Sequence, residues 1–108
     1  GRKKEIIIRG GLNIAPREIE DMLVAMSQIE QAAVVGIADA RLGEKCCACV
    51  RLREGESLDF ESMVKFLSAG GLAKYKLPEA LELFDELPMT STGKVQKHMI
   101  LSQLEGRH

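Results

Sequence analysis

The 108 residues suit one domain with a modest core and not two. A content of 45% hydrophobic and 29% charged residues reads as globular rather than disordered. With 15 basic against 16 acidic residues and only 4% aromatics, the chain lacks both the basic excess of a general nucleic-acid binder and a ladder of stacking platforms for single strands.

Along the chain, Glu5–Arg9 is a short β-branched run, Gly10-Gly11 turns it, and Leu12–Ile14 follows. That pattern predicts a tight hairpin. Pro16 stands where a first helical residue belongs, and Ile19, Met22, Leu23 and Met26 recur behind it at helical spacing. Glu18, Glu20 and Asp21 fall early in this helix, where negative charge complements the dipole. Gln31–Ile37 is a short apolar run that predicts a buried strand, and Gly43 breaks the turn after it. Lys45–Leu52 predicts the next strand and carries Cys46, Cys47 and Cys49. No second Cys or His pair completes a four-ligand zinc site. The three thiols therefore read as small buried apolar residues, and the expected compartment is a reducing, cytoplasmic one.

Asp59 is placed to cap a helix whose apolar face is Phe60, Met63, Val64 and Leu67, with Gly70-Gly71 ending it. A short turn precedes a strand around Ala80–Phe84, and a last helix is expected from Val95 to about Gln103, with Ile100 and Leu101 inward. The order hairpin, helix, strand, strand, helix, strand, helix predicts an α+β domain. Its expected form is a small mixed sheet plus a β-hairpin, covered by about three helices. No apolar run approaches the roughly 20 residues that cross a bilayer, and no charged-then-apolar leader opens the chain. The dense pattern of its first residues raises the expectation that it is part of a longer protein.

The chemistry concentrates in two glycine-bearing, charged loops. "PMTSTGKVQK" (88–97) sets Lys94 directly behind a glycine, where a compact positive charge suits a phosphate or a carboxylate. It is not a P-loop. Pro88 occupies the place of the first glycine and Val95 that of the Ser or Thr after the lysine, and no strand–loop–helix unit with a parallel neighbour is evident. His98 and His108 lie in the last helix and at the terminus, and no HExxH or paired-carboxylate motif occurs, so the domain carries no complete catalytic apparatus of its own.

"GRKKEIIIRGGLNIAPREIE" at the front, followed some 70 residues later by "LPMTSTGKVQK" at the back, resembles the C-terminal domain of the adenylate-forming enzymes. Acyl-CoA synthetases, peptide-synthetase adenylation domains and luciferase belong to that superfamily. "GGLNIAPREIE" is most like the acyl-CoA synthetases, and "GIADARLGE" and "LAKYKLPEALELFDELP" also sit where the family has similar segments. The resemblance covers residues 1–108 and implies a lid domain that follows a large N-terminal domain. It implies a two-step ligase in which acid and ATP give an acyl-adenylate and pyrophosphate, and CoA then gives the thioester and AMP. Magnesium would accompany ATP, bound mainly by the N-terminal domain. The implied partners are that domain, the carboxylic acid and CoA, with no nucleic acid and no transmembrane segment. The isolated domain is expected to be nearly inactive.

Residue by residue, Lys94 matches the lysine of the adenylation step, Lys4 the hinge position (near residues 1–5), and Arg2 an arginine that reaches the nucleotide ribose. Gly11 matches a glycine lining the pantetheine tunnel, and Gly10 serves either the same close approach or merely the turn. Tyr75 matches an aromatic set against the CoA adenine in some relatives, or else it caps the core. Those relatives carry basic residues just after it, where this chain has Leu77 and Glu79, leaving Lys74 and Lys76 as substitutes. Lys97 meets the basic position that closes the back motif and is read as local charge. The alternatives are an adenylation domain that loads a carrier protein and a non-catalytic interaction domain of the same fold.

Overall fold

A computed structural model describes residues 5–107. The elements follow in chain order. They are β1 (Ile7–Arg9), β2 (Leu12–Ile14), α1 (Pro16–Leu23), β3 (Ile29–Asp39), β4 (Gly43–Leu52), α2 (Phe60–Ala69), a 3₁₀ turn (Lys74–Lys76), β5 (Ala80–Leu83) and α3 (Lys97–Arg107). The predicted α+β class holds: one five-stranded mixed sheet carries the hairpin at one end and three helices over its faces. β4 is its centre. β3 pairs antiparallel along its whole length, while β1 and β5 share its other edge, β1 antiparallel at Gly43 and β5 parallel at Cys47–Val50. The parallel β4–α2–β5 unit, which sequence patterning does not reveal, does not include the Lys94 loop.

Burial explains why β3 and β4 read as continuous apolar runs rather than alternating ones, since both faces of the sheet are covered. Val34, Cys46, Ala48 and Val50 point to one face, where they pack with Ile19 and Leu23 of α1 and Met63 and Leu67 of α2. Ala33, Val35, Cys47 and Cys49 point to the other, against Phe84, Leu87 and the α3 residues Ile100 and Leu104. All three cysteines are buried and unbridged, one on the first face and two on the second.

Local signals set the helix ends. Pro16 opens α1 behind Ala15, which caps with no side chain. The Asp59 carboxylate opens α2 by accepting the Ser62 N–H at 2.7 Å, and that bond holds its pKa below the ordinary value. Three boundaries differ from the sequence reading. β3 runs two residues further at each end than its apolar core, because β4 pairs it from Ile29 to Asp39. Phe60 is 40% exposed at the start of α2, so the inward face is carried by Met63 and Leu67. α3 begins at Lys97 rather than Val95, because Val95 bridges to Met89, and it continues past Gln103 to bury Leu104.

Leu67 is fully enclosed between α2 and the sheet. Leu67→Ala is expected to cost about 2–5 kcal/mol in urea unfolding, with the spread set by how far the site collapses. The thiols give a second check. Burial, reinforced by the neighbouring Glu79 charge, pushes Cys46 from its ordinary 9.0 up to about 11. A raised folded pKa means that this group's contribution to stability is complete below pH 9.0 and is lost as pH rises through about 11. A disulfide reagent at pH 8 should leave all three thiols of the folded protein intact and titrate all three after denaturation. Rapid native labelling of Cys46 would contradict this packing.

Candidate functional site

The lysine loop is a small braced hairpin. Met89 and Val95 form an antiparallel bridge, and the Gln96 N–H closes the base on the Pro88 carbonyl at 2.8 Å. Inside it, the Thr90 N–H donates to the Lys94 carbonyl at 2.7 Å and the Gly93 N–H to the Thr90 carbonyl at 3.0 Å. The Thr90 hydroxyl accepts the Lys94 N–H at 3.0 Å and lies 3.0 Å from the Thr92 hydroxyl. Gly93 turns with φ +89°, a left-handed conformation that side-chain-bearing residues rarely adopt, although a β-carbon there would meet nothing within 4 Å. The glycine is thus required by the backbone and not by crowding. The product is a backbone fixed from both sides, with Lys94 exposed on it. Among the described residues no carboxylate pairs with the Lys94 ammonium.

Lys97, three residues on, is the opposite case. Its ammonium donates to Glu20 Oε2 at 2.7 Å and to Glu5 Oε1 at 3.0 Å, and its side chain is only 18% exposed. Glu20 also accepts the Val34 N–H at 2.8 Å. The sequence reading gave Lys97 only local charge and gave Glu20 to the helix dipole. Nothing in one-dimensional spacing relates residues so far apart in the chain.

The double glycine forms the predicted two-residue hairpin turn, with Arg9 opposite Leu12. Gly10 and Gly11 have φ +56° and +82°, the signature of a type I′ turn. A β-carbon on Gly10 would lie 3.5 Å from Leu42, whereas Gly11 faces open space. The Gly10 N–H is tied to the Leu42 carbonyl at 2.7 Å. Glu79 anchors the stem. Its carboxylate pairs with Arg9 and accepts the Cys46 N–H at 2.8 Å, while its own N–H donates to the Cys46 carbonyl at 2.9 Å. It therefore fills the gap on the β4 edge between β1 and β5.

The two loops occupy different parts of the domain. Met89 lies beside Gln31, near the start of β3, at 3.7 Å from sulfur to amide nitrogen. Gly10 is bonded to Leu42, past the end of β3. About 26 Å of extended strand separates Gln31 from Asp39 at roughly 3.3 Å per residue.

Tyr75 is half-buried against the first core cluster, and the Lys76 ammonium lies 5.7 Å from its ring centroid. Lys76 is committed to Glu18 at 2.7 Å, and this hydrogen bond raises its pKa. Lys74 is exposed. The expected hinge residue Lys4 and nucleotide-binding residue Arg2 lie outside the described residues. Among the described residues no group of three or more His, Cys, Asp or Glu side chains is placed to hold a metal ion. No helix among them is long and apolar enough to cross a membrane.

The family model of the AMP-binding enzyme C-terminal domain matches residues 18–94. The chain is 45% identical over 108 residues to the medium-chain fatty-acid–CoA ligase of Escherichia coli, covering 99% of this chain and 19% of that protein. It is 45% identical over 105 residues to the mitochondrial medium-chain acyl-CoA ligase ACSF2 of Danio rerio, covering 97% of this chain and 17% of that protein. The ATP-bound structure of MatB from Rhodopseudomonas palustris superposes with a TM-score of 0.88 at 35% identity, over 97% of this chain and 21% of that one. The chain thus spans about a fifth of the length of the relatives it matches.

Replacing Glu79 by alanine leaves the Cys46 N–H and the Arg9 guanidinium without their partner. The expected cost is about 1–3 kcal/mol in chemical denaturation. Amide exchange should rise first at Arg9–Leu12, because Glu79 shares the work of holding that hairpin to β4 with Glu44, which accepts the Ile8 N–H at 2.9 Å, and with the Leu42 carbonyl. An unchanged exchange profile would show that the hairpin does not depend on Glu79.

Proposed function

Since the chain belongs to the AMP-binding enzyme C-terminal domain family, we propose that it is the mobile lid of an AMP-forming acyl-CoA synthetase and that Lys94 serves the adenylation step. The observation that carries this reading is the Lys94 ammonium itself, exposed and without a carboxylate partner among the described residues, on a loop whose backbone is fixed on both strands.

In the first step a carboxylate oxygen attacks the α-phosphorus of ATP, the bond to the pyrophosphate oxygen breaks, and acyl-adenylate forms. Two anions must meet, and charge grows on the bridging and leaving oxygens. A pre-positioned ammonium stabilises that charge at no reorganisation cost and orients the acid. Arg2 is assigned to the nucleotide ribose. In the second step the CoA sulfur attacks the acyl carbon, the carbon–oxygen bond to AMP breaks, and the thiol proton passes to solvent. Gly11, with open space above it, is assigned to the pantetheine path, with Gly10 holding the turn beneath. Tyr75 is assigned to the CoA adenine. The separation of the two loops along β3 supports a swing about Lys4 that brings one and then the other to a single cleft. ATP, magnesium and the acyl pocket fall mainly to the preceding domain, and a reducing cytoplasm suits the three unbridged thiols.

A phosphopantetheine arm on a carrier protein is the second reading for the acceptor. Leu77 and Glu79 stand where a CoA-binding relative has basic residues, and Lys76 is already engaged by Glu18. An arm on a carrier needs no grip on the CoA phosphates. Acyl transfer to free CoA, measured beside transfer to a holo-carrier protein, separates the two.

The test of the lysine uses the full-length enzyme and a panel of carboxylic acids beginning with medium-chain fatty acids. Lys94→Ala is expected to lower acid-dependent ATP–pyrophosphate exchange by about 10²-fold or more. CoA acylation from a supplied acyl-adenylate should stay near wild type. Survival of both steps would leave Lys94 a surface charge.

A further inference from the structure

The ion cluster around Lys97 has a geometry that ordinary surface pairs lack. α1 packs on one face of the sheet through Ile19 and Leu23, and α3 on the other through Ile100 and Leu104. Among the described residues β3 pairs only with β4, so its outer edge lies between the two layers without a strand partner. Glu20 reaches from α1 to that edge and accepts the Val34 N–H at 2.8 Å. From the other layer, the Lys97 ammonium meets the same Glu20 oxygen at 2.7 Å. The pair therefore passes round the rim of the sheet and clasps the two helical layers together. Its second partner, Glu5, lies two residues before β1, in the segment that leads into the double-glycine hairpin.

We propose that Lys97 is a positioning residue for adenylate formation, holding the Lys94 loop in register through Glu20 and Glu5. The inference rests on the reading of Lys94 given above. Lys97 is the first residue of α3, directly after the Gln96 N–H that closes the loop on Pro88. His98 and Met99 behind it are exposed, and the first fully buried side chain of α3 is Ile100. Among the described residues, the C-terminal stem of the loop thus reaches the far side of the sheet through the Lys97 side chain. The Coulombic and hydrogen-bonded contacts fix where that stem starts, and a displacement of about 1 Å at a reacting group costs up to about 10²-fold in rate. The Glu5 contact also ties the loop to the entry of β1, so that loop and entry segment turn together when the lid moves. The double-glycine hairpin is held separately, by Glu79, Glu44 and Leu42. Loss of the clasp should therefore affect one half-reaction and spare the other.

The experiment takes the full-length enzyme with octanoate, or with the best acid of the panel, and compares wild type, Lys97→Met, Lys97→Arg, Glu20→Gln and Lys94→Ala. Acid-dependent pyrophosphate exchange reads the first half-reaction. CoA acylation from a supplied acyl-adenylate reads the second. Lys97→Met and Glu20→Gln are expected to slow the first by about tenfold or more, with the second unchanged. Lys97→Arg, which keeps the charge and two donors, should recover most of the rate. Amides of Lys94 and Gln96 should exchange faster in Lys97→Met, while those of Cys47–Val50 stay protected. Glu20→Gln retains an acceptor for the Val34 N–H, so it keeps the comparison alive if Lys97→Met does not fold. Equal losses in both half-reactions, or no loss in either, would overturn the proposal. If Lys94→Ala also adenylates normally, the reading of Lys94 fails with it; if Lys94→Ala collapses while Lys97→Met and Glu20→Gln do not, only the clasp fails.

Discussion

Everything in this domain hangs on the burial of β4 from both sides. Cys46 through Val50 have no exposed surface, and their side chains alternate between two cores. A strand in that position must be small, apolar and flanked by helices on each face. The need for two helical layers follows, and so does the order of the sheet. β3 occupies one edge of β4 completely, which leaves β1 and β5 to divide the other. Because they run in opposite directions, they cannot continue one another, and the stretch of β4 between them must find its hydrogen bonds elsewhere. Glu79 supplies these with its carboxylate and backbone, and in doing so it secures the hairpin through Arg9. The unpaired strand edge and the anchored loop are one solution to one problem.

The two glycine loops differ in what makes them rigid. The Lys94 loop is stiffened from within, by backbone bonds and by the Thr90 hydroxyl. The Gly10-Gly11 turn has little internal bracing beyond its strand pairing and is fixed from outside, by Leu42 and by Glu79. Both stand on a scaffold whose core they do not enter, the usual division of labour between loops and the elements that carry them. If the domain swings as proposed, such loops would move as its rigid attachments, without local refolding.

Much of the fold is legible in the chain because it is written in local signals. Pro16, Asp59 and Gly70 mark helix ends, Gly10-Gly11 marks the hairpin, and the β-branched and small residues of 31–37 and 45–52 mark the central strands. The parallel pairing of β5 is not legible, since four residues of a half-buried strand carry no mark of direction. The start of α3 is misplaced by two residues because the Met89–Val95 bridge competes for the same segment, a tertiary choice that helical spacing does not encode. Lys94 stands out in the sequence through its motif, while Lys97 and Glu79 are passed over. Their partners lie 77 or more residues away for Lys97 and 33 or more for Glu79, and only folding brings them together. Glu20 shows the same limit: as a charge in a helix it reads as dipole complement, yet its oxygen is bound to β3 and α3.

The open rim of β3 carries one further consequence. A long, apolar edge strand is a template on which another chain can add by backbone pairing, and proteins blunt such edges with charge. Here Glu20 occupies a donor of that edge, and Lys97 pins Glu20 in place. The same ion pair thereby takes one backbone donor of the edge out of reach of edge-to-edge pairing. In a lid that swings as proposed, an edge capped at Val34 by the domain's own side chains would offer one donor fewer to a second chain whenever the cleft is open.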